Sequence, residues 1–336
     1  MADVAQLAGV SHQTVSRVLN DFPSIRPETR RRVLDAIQQL GYRRNTAART
    51  LASRRSRTIG IVSADLVNFG PSSTMAAVEQ AAREQGFNVS LTSVPWPTSG
   101  CLGSAFDLLA GQDVEAVVAI AWGDAVLDPA LSARLGVPVV VVQGARRNAA
   151  LTVAVDHAEG ARLATRHLLD LGHDTVLHVA GPADWVESAE RIDGWRSALR
   201  EADRPVPRLC WRGDWSASSG YQIGLRIAKI DAARAIFVAN DQMALGLLRA
   251  LREAGRLVPG QVSVVGFDDV PESAYFAPPL TTVRQDFAAL GRSAMELVWR
   301  AIDGEVAPTV ALVPAQLIER GSTAQPQQSP LPNRDI

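Results

Sequence analysis

From Thr58 onward, short runs of Val, Ile, Leu and Ala alternate with stretches of helical period, and few folds accept that pattern. The runs lie at 58–64, 88–94, 116–120, 138–142, 175–180, 235–238 and 262–267. A strand with one wet face would alternate polar and apolar residues. Near-continuous apolar strands are buried on both faces, as in parallel sheets covered by helices. Helical stretches at 72–85, 104–110, 159–171, 188–202, 218–228, 241–253 and 287–302 supply the covering layers. The strands are too many for one ordinary doubly wound sheet, which predicts an α/β body of two lobes with parallel sheets and a cleft between them. Ligands bind such folds at the carboxyl ends of the strands.

With 336 residues, 47% of them hydrophobic, the chain holds more than one domain and ample core. Cys101 and Cys210 have no CxxC or metal-ligand spacing, which suits a reducing compartment. No apolar run approaches membrane-spanning length, and the start carries Asp3 instead of a basic, then apolar, leader. A cytoplasmic chain with no membrane partner is expected. The end, GSTAQPQQSPLPNRDI at 321–336, is polar and Pro-rich and is expected to be a disordered tail.

Charge is distributed unevenly. Residues 1–57 hold 11 Arg and 4 acids, a net +7, whereas the whole chain is −1. A basic segment on an acidic remainder fits a head that meets phosphates. Its pattern is all-α. Residues 3–8 form a first helix with Val4, Ala5 and Ala8 inward, and Gly9 makes the turn. Ser11 caps a second helix at 12–20, with Val15, Val18 and Leu19 inward and His12, Gln13, Ser16 and Arg17 outward. A third helix at 27–40 opens on Pro27, turns Val33, Leu34 and Ile37 inward, and stops at Gly41. This is the helix-turn-helix arrangement, whose second helix fits the major groove of double-stranded DNA. There Gln pairs with adenine and Arg with guanine.

Polar residues gather at the expected strand ends of the body. AIFVAND ends in Asn240 and Asp241, SVVGFDD in Asp268 and Asp269, and PLTTVRQDF supplies Arg284, Gln285 and Asp286. SAERIDGW adds Arg191, and GDWSASSG adds Asp214, Trp215 and Ser216. Carboxylates, amides and a guanidinium each span two vicinal hydroxyls, and an indole covers the C–H face of a pyranose. The set describes a carbohydrate pocket. Taken singly, an Asp or Asn at a strand end equally well caps the next helix.

ADVAQLAGVSHQTVSRVLN, RPETRRRVLDAIQQLGYRRNTAARTLASRRS, VANDQMALG, SVVGFDD, PPLTTVRQDF and GDWSASSG together resemble the lactose-repressor family of bacterial transcription regulators over nearly the whole chain. The resemblance implies base reading by His12, Gln13 and Arg17, and phosphate contacts by Ser11, Thr14, Ser16, Asn20 and Asn45. It implies a hinge helix at 45–57 that orders on DNA, with Leu51 wedged into the minor groove. The implied division is a head at 1–44, the hinge, a two-lobed effector-binding and dimerising body at 58–320, and the tail. Arg191, Trp215, Asn240, Asp268, Gln285 and Phe287 match sugar-contacting positions, which implies a galactoside or a related glycoside. Gln143 and Trp96 stand where the pattern has an Asp and an Arg, which points to a different glycoside, one with a larger second sugar. The first helix starts early by the family pattern, so one or two backbone contacts are missing or the start codon was placed late. A C-terminal leucine-heptad helix is absent, so a homodimer is expected, with 72–85 on its interface.

Other classes fit less well. GxGxxG, GxxxxGK[ST], HExxH and GxSxG do not occur. No catalytic residue, cofactor or metal is expected, and His157, His167, His173 and His178 read as packed or capping. Asp268 and Asp214 could form a glycoside-hydrolysing pair, but the basic head would then be unexplained. A transport-type binding module would need export. Within the same class, a regulator that binds DNA only with its ligand remains an alternative.

Overall fold

The computed structural model describes residues 1–42, 55–64, 66–94, 99–120, 135–143, 151–305 and 309–326. The chain divides into two compact units, Met1–Ser56 and Arg57–Ile336. The first is an all-α helix-turn-helix head and the second an α/β body of two lobes.

In the head, α1 (Ala2–Ala8), α2 (His12–Leu19) and α3 (Pro27–Gln39) close over Val4, Ala5, Ala8, Val15, Val18, Val33 and Ala36. Gly9 has φ 61°, and a Cβ there would meet nothing within 4 Å. Glycine is needed for the left-handed backbone and not for space. Ser11 Oγ accepts from the Thr14 amide at 3.2 Å and caps α2. Leu34, expected inward, is 50% exposed. Ala36 takes the inner position, because the face of α3 turned to α1 runs through Val33, Ala36 and Ile37.

The body holds two six-stranded sheets. The first lobe orders its strands β11-β5-β4-β3-β1-β2 and the second β12-β10-β9-β8-β6-β7. The strands are β1 Thr58–Ala64, β2 Asn88–Val94, β3 Ala116–Ile120, β4 Val139–Val142, β5 Leu151–Val155, β6 Leu177–Ala180, β7 Cys210–Arg212, β8 Ala235–Val238, β9 Ser263–Asp268, β10 Thr281–Gln285, β11 Thr309–Val313 and β12 Ala315–Ile318. Each pairing is parallel except β10 with β12. Helices α4 (Phe69–Glu84), α5 (Ser99–Ala110) and α10 (Phe287–Ile302) cover the first sheet. The second is flanked by α6 (His157–Asp170), α7 (Val186–Glu201), α8 (Ala217–Ile227) and α9 (Asp241–Glu253).

The chain crosses between lobes three times: from β5 to α6, from β10 to α10, and from β11 to β12. The first two corners are alike. Asp156 (φ −75°, ψ 81°) accepts from the Glu159 amide at 3.0 Å. Asp286 (φ −84°, ψ 81°) accepts from the Ala289 amide at 2.8 Å. Both cap the helix that begins on arrival in the other lobe. The Asp156 amide donates to Val313 O at 2.9 Å, which ties the first crossing to the third.

Departures from the expected elements have local causes. Helix α4 begins at Phe69, ahead of Pro71, because the first turn of a helix tolerates a residue without an N–H. Strands β7, β10 and β12 are short or carry Arg and Gln, and so lack the apolar signal, whereas β11, TVALV, carries it. Strand β5 is wholly buried and carries the same signal as its neighbours. The tail starts later than expected. Ser322 is fully buried, accepts from the Thr281 amide at 2.8 Å and donates to Val264 O at 2.6 Å. Residues 321–326 therefore satisfy groups of the interior strands β9 and β10 despite their linker-like composition; 327–336 lie outside the described residues.

Candidate functional site

On the head, the polar residues of α2 and its cap form one outward face. Ser11, His12, Gln13, Arg17 and Asn20 are exposed, and Thr14 and Ser16 are half-buried. Four of these are paired with one another. Ser11 Oγ pairs with Thr14 Oγ1 at 2.9 Å, and Asn20 Nδ2 donates to Ser16 Oγ at 3.5 Å. The Arg17 guanidinium lies 5.9 Å from the centre of the Phe22 ring. Asn45 and Leu51, together with residues 43–54 of the expected hinge, lie outside the described residues.

In the body, a cleft opens between the lobes. The first lobe contributes the turn 68–71 and Gln143; the second contributes His157, Trp185, Glu187, Arg191, Trp215, Asn240, Asp268 and Gln285. Three of these sit on left-handed backbone at strand ends or turns: Gln143 (φ 59°), Trp215 (φ 72°) and Asp268 (φ 110°). Such conformations cost energy for side chains with a Cβ, and they persist where surrounding bonds hold them.

Those bonds form a closed ring. Gln143 Nε2 donates to Gln285 Oε1 at 3.1 Å, and Gln285 Nε2 donates to Asp268 Oδ1 at 2.7 Å. Asp268 Oδ1 is 3.6 Å from Arg191 Nη2, whose guanidinium also meets His157 Nδ1 at 3.3 Å. His157 Nε2 returns to Gln143 Oε1 at 3.0 Å. Because the Gln143 amide nitrogen is committed to Gln285, its oxygen accepts. The His157 proton therefore sits on Nε2, and Nδ1 accepts from Arg191. Each link has one direction, and the ring joins both lobes.

Arg191 is the hub. Its guanidinium donates to Ala239 O and lies over the Phe267 ring at 3.8 Å and the Trp215 ring at 5.5 Å. Burial pushes the Asp268 carboxyl up to about 6, against the opposing pull of Arg191 and the Gln285 amide.

Trp215 forms the apolar wall. Its indole is buried and packs edge-on against Trp185, with centroids 5.6 Å apart. A Cβ on Gly181 would come within 2.1 Å of the Trp215 ring, so only glycine lets the indole lie there. Asn240 holds the same wall by the backbone: its Nδ2 donates to Trp215 O and its Oδ1 accepts from the Met243 amide, both at 3.0 Å. Asn240 thus lines the cleft and caps α9 at once.

Several expected residues lie elsewhere. Asp214 accepts from Ser216 N and Oγ at the start of α8, and Asp286 caps α10. Asp241 is wholly buried, accepting from Thr282 Oγ1 at 2.6 Å and the Val270 amide at 2.9 Å. Asp269 pairs with Arg284 and Arg320, each at 2.6 Å. These are the capping and structural roles that strand-end carboxylates often take. Phe287 is one layer back, edge-on to the cleft residue Phe69 at 5.7 Å. Trp96 lies outside the described residues.

His167, His173 and His178 are packed, and His178 is stacked on Phe237 at 4.6 Å with its pKa pushed by burial to about 3. His157 alone of the four faces the cleft. Among the described residues no three His, Cys, Asp or Glu side chains converge as metal ligands, and no helix is long and apolar enough to cross a membrane. Sequence reading missed Trp185, Glu187 and the 68–71 turn. The signal for the first two was their placement within six residues of Arg191, on the first turn of the same helix.

Residues 1–45 match the bacterial regulatory proteins of the lacI family, and residues 165–323 match a periplasmic binding protein-like domain. The sequence is 34% identical over 327 residues to the lactose operon repressor of Escherichia coli (strain K12), spanning 96% of this chain and 90% of that protein. It is 35% identical to the HTH-type transcriptional regulator CelR of Thermobifida fusca, over 92% of this chain and 94% of that one. The fold superposes on a crystal structure of the lac repressor dimer bound to operator and the anti-inducer ONPF with a TM-score of 0.86 at 33% identity, covering 96% and 98% of the two chains. A CelR–cellobiose complex superposes with a TM-score of 0.72 at 32% identity, covering 95% and 98%.

Proposed function

The chain belongs to the lacI family of bacterial regulatory proteins, and from that premise we propose that it is a cytoplasmic repressor whose dimer binds a palindromic operator and is released by a saccharide. It is a regulator of transcription and not an enzyme. The observation that carries the effector half is the ring of Gln143, Gln285, Asp268, Arg191 and His157, set beside the Trp215 wall in the interlobe cleft. Directed amides, a carboxylate and a guanidinium next to an indole suit a pyranose, whose hydroxyls replace ring bonds and whose C–H face lies on the aromatic wall.

A galactoside or a closely related glycoside is the effector. The likeness to lactose operon repressors and to a CelR bound to cellobiose supports this class. Gln143 offers a neutral amide, which suits a glycoside with a larger second unit, stacked toward Trp96. Arg191, Trp215, Asp268, Gln285 and Gln143 make the polar and stacking contacts. Asn240 positions Trp215, and Phe287 backs the wall through Phe69.

On DNA, His12, Gln13 and Arg17 read bases while Ser11, Thr14, Ser16, Asn20 and Asn45 hold phosphates. Leu51, in the 45–57 hinge between the 1–44 head and the 58–320 body, wedges the minor groove. The dimer forms through α4 and the adjoining edge strand β2, where Leu91 is 45% exposed. Saccharide entry is coupled to operator release as a reciprocal linkage.

Fluorescence anisotropy of the full chain on a labelled palindromic duplex, with lactose, cellobiose and methyl galactosides titrated in, tests the whole scheme. Release by one of them supports it. Tighter DNA binding with the sugar would make the chain co-repressed, and no response to any saccharide would overturn the effector assignment.

A further inference from the structure

Glu187 stands on the first turn of α7, one helical turn before Arg191, and lines the cleft between Trp185 and Arg191. It is 9% exposed, an unusual burial for a helix-start acid, which normally faces water. Its own backbone N–H is the one hydrogen-bond donor it has among the described residues. Arg191, one turn away, attracts both cleft carboxyls, but its hydrogen bonds and close ion pair go to Ala239 O, His157 and Asp268, with its guanidinium over the Phe267 and Trp215 rings. The cleft therefore holds two carboxyl groups, Glu187 and Asp268, around one guanidinium that makes its close contact with the second. A buried carboxylate left with unfilled acceptor sites is costly, and a ligand that donates to it recovers that cost. Gln143, Gln285, Asp268, Arg191 and His157 are linked within the ring, whereas Glu187 stands outside it.

We propose that Glu187 is the specificity-determining acceptor of this cleft, selecting effectors that present hydrogen-bond donors, a hydroxyl pair or an ammonium, to the side lined by Trp185. The proposal rests on the saccharide reading and names what that reading leaves open, the substituent recognised. Donors at this position bond to a carboxylate held in a dry wall, where charge-assisted bonds discriminate strongly. A glycoside lacking the donor leaves Glu187 buried and unfilled, so it is rejected by more than the loss of one contact. An aminated sugar fills the site best, since its ammonium also balances the charge of Glu187.

Isothermal titration calorimetry on the full chain tests this with lactose, cellobiose, methyl galactoside, their monodeoxy forms and the corresponding 2-amino sugars. The variants are Glu187→Gln, Glu187→Ala and Asp268→Ala, each checked for a native circular dichroism spectrum. The expected result is a loss of about tenfold or more in affinity for Glu187→Ala, the scale of one charge-assisted bond. One monodeoxy form should lose as much in the native chain and nothing further in Glu187→Ala. The amino sugar should lose most in Glu187→Gln, which keeps the shape and removes the charge. If both Glu187 variants bind every sugar within about twofold of the native chain while Asp268→Ala does not, Glu187 reads nothing and the saccharide cleft stands without it. If the native chain binds none of these sugars, the saccharide reading falls and takes the proposal with it.

Discussion

Gln143 and Gln285, 142 positions apart in sequence, share a hydrogen bond of 3.1 Å that joins the first lobe to the second. Neither amide has a spare role. Gln143 Oε1 also accepts from the Val155 amide at 3.3 Å, and Gln285 passes the link on to Asp268. Gln143→Ala removes the bridge and strands Gln285 and His157 in a buried site. A stability loss of about 1–3 kcal/mol is expected in urea unfolding, the cost of buried groups left unpaired. A change below the error of the fit would mean that the ring contributes nothing to holding the lobes together.

Gly181 tests the aromatic wall. Alanine there would place a methyl within 2.1 Å of the Trp215 indole. The ring must shift, at about 1–3 kcal/mol of overpacking strain. Saccharide affinity should fall together with stability, read by calorimetry and thermal melting. Unchanged affinity would show that Trp215 is not a ligand wall.

The cleft carboxyls set a pH dependence. Burial raises Asp268 from 3.8 to about 6 and Glu187 from 4.5 to about 7. The folded chain thus holds protons that the unfolded chain releases, so stability falls as pH rises through this window. Compared with Glu187→Gln, the native chain should lose about 2–3 kcal/mol of ligand-free urea stability between pH 4 and pH 7; the buried His178, near 3, acts with the opposite sign in both chains and cancels in the difference. The difference should build up from about pH 4.5 to pH 7, the window of Glu187, and overlap that of Asp268 below about pH 6. A difference between the two chains that stays constant over this range would contradict the burial of Glu187.

Arg17 is exposed on α2 beside Phe22. Arg17→Ala should weaken binding to a specific palindrome by about 1–3 kcal/mol. On random duplex the loss should be much smaller at the same salt. Equal losses on both would make Arg17 a phosphate contact.

Much of this was legible in the sequence. Val33 and Val15 announced the head, and the apolar runs announced two buried sheets. Arg191, Trp215, Asp268, Gln285 and Gln143 were found as residues and do meet in one cleft. What was not legible was commitment. Asp241, Asp269 and Asp286 have the same chemistry and the same strand-end positions as Asp268, and they differ only in which amide or guanidinium lies within reach. That depends on tertiary placement, so capping and ligand-facing carboxylates look alike in one dimension. Leu34 illustrates the opposite error, an apolar residue one step off the inner stripe of its helix. Glu187 was hidden because acids at helix starts are ordinary, and nothing local says that this one is buried in the cleft lining.

The three interlobe crossings make each lobe a mosaic of distant stretches. The first lobe needs β11 and α10, which are synthesised after nearly all of the second. Neither half can be cut out, duplicated or exchanged by a single recombination event. A change of ligand is therefore reached most directly by replacing single side chains in a retained frame, and Gln143 and Glu187 are positions where such a replacement acts.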